Sequence, residues 1–89
     1  MKIIWTDYLK YRSHKRGFNL SAIENILLYS SERYFDTTTQ RMVVVGKHGK
    51  SLVMIPYEKK RESIVPVTIH AITKQQINFR LNTGRFIIE

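Results

Sequence analysis

Near Arg33 the spacing of apolar residues changes from about 3.6 to 2. A helix requires the first period and a half-buried strand the second, so the chain reads as helical before this point and sheet-forming after it. Lys2–Trp5 is long enough for a short strand, and Thr6 offers its hydroxyl as cap to a helix with Asp7 in the first turn. Tyr8, Tyr11, Arg12 and Lys15 follow at helical spacing, and Gly17 suits a C-cap. A second helix begins at Asn19 or Ser21. There Ser21-Ala22-Ile23-Glu24 matches a capping box, and Leu20, Ile23, Ile26 and Leu27 supply an apolar stripe that fades near Ser30-Ser31.

Beyond the change, Arg33–Asp36 reads as an edge strand, Thr37–Gln40 as a polar turn, Arg41–Lys47 as a strand and His48-Gly49-Lys50 as a tight turn. Ser51–Tyr57 is apolar on both faces, the pattern of a central strand covered by helices on one side. Glu58–Ser63 is expected as a charged turn. Ile64–Ile72 alternates as a single strand, with Val65, Val67, Ile69 and Ala71 on one face and Pro66, Thr68 and His70 on the other. Pro66 suits a strand edge or a bulge. Thr73-Lys74-Gln75-Gln76 is a second capping box, opening a helix to about Leu81 that Thr83-Gly84 stops. The expected fold is therefore α+β in two layers: two N-terminal helices, an antiparallel sheet of three or four strands, and a C-terminal helix. Tyr8, Tyr11, Tyr29, Tyr34, Phe35 and Phe79 are expected mostly in its core.

One domain over residues 1–89 is all this length accommodates, and its core must be thin. Its aliphatic content is that of a folded chain. Without cysteine there is neither a disulfide framework nor a thiolate metal site, and the three histidines lack zinc spacing. No metal or other cofactor is expected. No apolar run approaches the length of a membrane span or of a secretory signal, so a cytoplasmic protein with no membrane partner is expected. The formal charge is +8 and is unevenly spread. Residues 1–16 carry Lys2, Lys10, Arg12, Lys15 and Arg16 against Asp7. Residues 41–61 carry Arg41, Lys47, Lys50, Lys59, Lys60 and Arg61 against Glu58, and the intervening segment is acidic. Two basic segments brought together would make a one-sided positive field, suited to the phosphate backbone of a nucleic acid or to an acidic protein.

Ile3-Ile4-Trp5-Thr6-Asp7, Lys15-Arg16-Gly17-Phe18-Asn19-Leu20 and the strands led by Arg41-Met42-Val43-Val44-Val45-Gly46 together resemble the BrnT-type toxins of bacterial toxin–antitoxin modules, within the RelE/ParE-like group. Ile3-Ile4-Trp5-Thr6-Asp7 is similar to that family's opening strand and its aromatic-acidic step into the first helix. Lys15-Arg16-Gly17-Phe18-Asn19-Leu20 resembles its Lys-His-Gly-Val-Ser-Phe junction before the second helix. Arg41 to Gly46, Leu52 to Tyr57 and Val67 to Ala71 resemble its meander, and the likeness spans residues 3–82. The family's common Ser-Ala-Arg at the last strand is His70-Ala71-Ile72 here. The resemblance implies the RelE/BrnT-like fold, metal-independent endoribonuclease activity that inhibits translation, and neutralisation by an antitoxin, acidic or DNA-binding. The Ile72 departure leaves a second expectation open, a non-catalytic basic module that binds nucleic acid or protein.

RNA cleavage of this kind needs a base for the ribose 2′-hydroxyl, cations around the phosphate and an acid for the departing 5′-oxygen. His70 is the sharpest candidate, because its ordinary pKa lies nearest neutrality; the plainer account is a half-exposed strand histidine. Arg61, Arg80 and Tyr57 complete the candidate catalytic set, with solvated arginines and a packed tyrosine as the plain alternatives. Lys15, Arg16, Arg41, Lys59, Lys60 and Lys74 are candidate nucleic-acid contacts. For Arg41, as for Arg33, the duller account is a cross-strand salt bridge with Asp36 or Glu32. His14 and His48 are expected to be incidental. A core this small also admits a homodimer.

Overall fold

The computed structural model describes residues 1–89. Its elements run β1 (Lys2–Ile3), α1 (Asp7–Lys15), α2 (Leu20–Tyr29), β2 (Arg33–Asp36), β3 (Arg41–His48), β4 (Ser51–Lys60), β5 (Ser63–Pro66), β6 (His70–Ile72), α3 (Lys74–Asn82) and β7 (Phe86–Ile88). The fold is α+β, with three helices and a mixed sheet ordered β1-β5-β4-β3-β2-β7, and β6 also pairs with β4. β1 runs parallel to β5, and every other pairing is antiparallel. No helix is long and apolar enough to cross a membrane.

The helix ends follow local chemistry. Thr6 Oγ1 accepts from the Leu9 N–H at 3.1 Å. Thr73 and Gln76 form the reciprocal capping box that their spacing predicts. Of the two starts open to the second helix, Asn19 is the cap, and its carboxamide oxygen accepts from the Ser21 and Ala22 N–H groups. Asparagine one residue ahead of a leucine wins because its oxygen reaches two free donors at once.

The sheet is wider than three or four strands, and it is covered on both faces rather than one. On one face Leu9, Ile23, Ile26 and Leu27 from α1 and α2 pack with Val44, Val53, Ile55, Tyr57, Ile64 and Ile69. On the other, Ile77 from α3 packs with Tyr34, Val43, Val45, Met54, Ile72 and Phe86. This is why β3 and β4 are apolar on both faces: alternate residues enter two separate cores. Arg33–Asp36 is not an edge, because β7 follows α3 and pairs with it from Tyr34 to Asp36.

Two further expectations are corrected. Glu58–Ser63 is not a turn throughout: β4 continues to Lys60, with Lys59 opposite Ile64, and the reversal is confined to Arg61 and Glu62. Ile64–Ile72 is not one strand. Tyr57 pairs with Pro66 and Met54 with His70, so Ile55 and Pro56 on β4 oppose three residues, Val67, Thr68 and Ile69. That is a β-bulge. Pro56 explains its position: its carbonyl accepts from the Val67 N–H at 2.8 Å, but it has no N–H of its own to return. The extra residue inverts the alternation. Ile64 and Pro66 face α1 and α2 before the bulge, Ile69 after it, so Val65 and Ile69 lie on opposite faces.

Candidate functional site

The bulge determines where His70 points. Its partner Met54 belongs to the α3-side core, and cross-strand partners share a face, so His70 emerges on the α3 side of the sheet. β6 pairs only with β4, which leaves His70 beside an open edge, half-buried. Arginines gather there from two directions. Arg16, at the C-cap of α1, donates from Nη1 to the Ile69 carbonyl at 3.4 Å, which pins the end of α1 next to the bulge. Arg12 lies one helical turn earlier on α1, its Nε buried without a hydrogen-bond partner. From the far layer, Arg80 on α3 places Nη1 3.1 Å from the Met54 sulfur, with its guanidinium 5.4 Å from the centre of the Phe86 ring.

The electrostatics follow from this convergence. Burial and then the charges of Arg12, Arg16 and Arg80 push the His70 pKa below its ordinary 6.5. His70 is therefore mostly neutral at pH 7, with a lone pair free to take a proton. Arg80 is itself lowered, by burial first and then by Arg85, although Asp36 opposes this. Arg85 is already engaged by the buried Asp36, through Nε to Oδ1 at 3.2 Å and Nη2 to Oδ2 at 3.1 Å. Arg80 has no such carboxylate partner among the observed ion pairs. A neutral base with guanidinium groups on its neighbours Ile69 and Met54 can bind a phosphodiester and accept a proton beside it.

Of the residues singled out by sequence, His70, Arg80 and Arg16 come together. Lys15 adjoins Arg16 but directs Nζ to the Tyr11 hydroxyl at 3.3 Å. Lys74 is exposed at the first turn of α3, which follows directly from β6. The others lie elsewhere. Tyr57 faces the α1 and α2 layer, 5% exposed, and its hydroxyl accepts from Arg33 Nη1 at 3.1 Å. Arg61 is in the β4–β5 turn at φ 50°, seven residues along from Met54. That is roughly 20 Å at a strand's rise per residue. Lys59 and Lys60 share that end of the sheet. Arg41 pairs across the strands with Glu58, Nε to Oε2 at 3.5 Å, and not with Asp36, which Arg85 engages, or with Glu32. His14 is exposed, and His48 Nε2 accepts from the Asn19 N–H at 2.8 Å.

Sequence reasoning missed Arg12. The available signal was its four-residue spacing from Arg16, which puts both on one face of α1. It also misplaced four aromatics: Tyr8, Tyr11, Tyr29 and Phe79 are 55%, 61%, 77% and 67% exposed. No protein-family model, curated protein or solved structure matches this chain.

Proposed function

We propose that this protein binds RNA on the His70 face and cleaves it there, as the toxin component of a bacterial toxin–antitoxin pair. The observation that supports this reading is the half-buried, mostly neutral His70 among Arg12, Arg16 and Arg80 at an open sheet edge. In the reaction, His70 accepts the proton of a ribose 2′-hydroxyl. The 2′-oxygen then bonds to the adjacent phosphorus while the bond to the 5′-oxygen breaks, and water protonates the departing alkoxide. The products are a 2′,3′-cyclic phosphate and a 5′-hydroxyl end. The guanidinium groups offset the charge that grows on the non-bridging oxygens. The resting cell would hold the protein in check with an antitoxin whose carboxylates cover the same arginines.

The test is incubation of purified protein with end-labelled RNA in EDTA. New 2′,3′-cyclic phosphate ends, reduced about 10²–10⁴-fold by His70→Gln, are the expected result. Cleavage that survives this substitution removes His70 from the chemistry. One observation favours a second reading, a basic module that binds nucleic acid without cutting it. No second imidazole accompanies His70: His14 lies about half a turn around α1 from Arg12, and His48 is committed to Asn19. The departing oxygen is thus left to solvent for its proton. Binding that falls steeply with salt while the RNA stays intact would select this reading.

A further inference from the structure

α1 carries an arrangement that the cleavage chemistry does not use. Only Leu9 and Ser13 of this helix are buried, and the rings of Tyr8 and Tyr11 stand in solvent. Each ring is paired with a cation four residues later. Arg12 Nη1 donates to the Tyr8 hydroxyl at 3.3 Å, its guanidinium 6.0 Å from the ring centre. Lys15 Nζ donates to the Tyr11 hydroxyl at 3.3 Å and lies 5.6 Å from its ring. Residues 8, 11, 12 and 15 form one stripe along the helix, with cations interleaved between rings. The only acid on α1 is Asp7, at its first position. Arg16, one turn beyond Arg12 on the same face, donates to the carbonyl of Ile69, the residue before His70, so the stripe runs up to that face.

We propose that this stripe is a stacking platform for unpaired bases, which makes single-stranded RNA the substrate class of the His70 face. The inference rests on reading that face as an RNA site. Charge complementarity favours RNA as occupant, since the stripe offers phosphate-binding cations with no carboxylate among them. Side chains three residues apart on a helix are about 5–6 Å apart at Cβ. This is wider than the roughly 3.4 Å between bases stacked in a duplex strand. Rings at that spacing suit bases drawn apart from one another. A duplex would touch the cations but could not present its ring faces.

Binding is measured by fluorescence anisotropy at fixed salt with a labelled 12-nucleotide 2′-O-methyl strand, which cannot be cleaved, alone and annealed to its complement. The wild-type protein is expected to prefer the single strand. Tyr8→Leu with Tyr11→Leu is expected to weaken single-strand binding about 10–100-fold while leaving duplex binding unchanged, whereas the Phe pair retains it. Neither ring is buried, so both pairs should fold, as circular dichroism checks. Unchanged single-strand affinity in the Leu pair, or equal loss for both ligands, overturns the platform. So does a protein that binds neither ligand, which would leave the stripe to an acidic protein partner. Tyrosine-dependent binding with cleavable RNA left intact would retain the platform and reject the ribonuclease reading alone.

Discussion

Arg85 holds Asp36 across 49 residues of chain, with Nε 3.2 Å from Oδ1 and Nη2 3.1 Å from Oδ2. Asp36 ends β2 and is 1% exposed, whereas the Arg85 side chain is 36% exposed at the entry to β7. The pair therefore fastens the last strand to the sheet, and its two members are not equivalent. Arg85→Met strands a buried carboxylate and should destabilise by about 2–4 kcal/mol; Asp36→Asn leaves a guanidinium that can reach water and should lose about 1–2 kcal/mol. Urea titrations of the two variants would check the order, and the reverse order would refute the asymmetry.

The same pair implies a dependence on acid. Burial raises the Asp36 pKa, but the Arg85 hydrogen bonds and the Thr38 and Thr39 N–H groups outweigh it, leaving the pKa below its ordinary 3.8. The ionised form is thus bound more tightly in the folded chain. Its contribution is fully present above about pH 4 and is lost as pH falls through the lower folded value. Thermal melts between pH 5 and 2 should show a shallower acid decline in Asp36→Asn than in the wild type.

His70 has the opposite preference, for the neutral form. Its folded pKa is below 6.5, so the contribution of the neutral imidazole is intact above that pH and lost as pH falls through the folded midpoint. An NMR titration of the imidazole should place that midpoint below 6.5. Arg80→Ala should move it upward, because it removes a nearby positive charge and opens the site to water. If His70 is the base, the pH dependence of cleavage should rise on the same midpoint and shift with it.

Gly46 on β3 is where α2 comes closest to the sheet. A Cβ there would meet Ile26 Cγ1 at 2.7 Å and Cγ2 at 2.8 Å. Gly46→Ala should therefore cost about 1–3 kcal/mol through overpacking. Ile26→Ala removes both Cγ atoms, so the double variant should lose less than the sum of the two single losses, and a double-mutant cycle of chemical denaturation would reveal the coupling.

Arg33 closes the end of α2. Its Nη2 and Nε donate to the Leu27 and Ser30 carbonyls at 2.6 and 3.1 Å, and Nη1 donates to the Tyr57 hydroxyl. Tyr57→Phe removes one acceptor and should cost about 0.5–1.5 kcal/mol; Arg33→Ala abandons two helix carbonyls as well and should cost more. Both act on the face opposite His70, so neither should move the His70 titration. A shift of that midpoint in Tyr57→Phe would return Tyr57 to the His70 site.

Much of the architecture was legible because its causes are local. The Thr6 and Thr73 caps, the Gly49 turn and the switch of period at Arg33 each depend on a few neighbouring residues. The bulge was only half legible. Pro66 marked a candidate position, but the deciding proline is Pro56, on the strand opposite, and that pairing is not written in either segment. Phe86–Ile88 was missed as a strand because three apolar residues at a chain end carry no usable period.

The sequence by itself determined the charge, the Thr6 and Thr73 helix starts and the central strands, since each is a sum or pattern over adjacent residues. Only the tertiary structure decided that the charges of Arg12, Arg16 and Arg80 act on His70, and that Tyr57 and Arg61 lie elsewhere. A one-residue bulge sets the face from which His70 emerges, and a charge acts through space on whatever the pairing of distant strands brings near it.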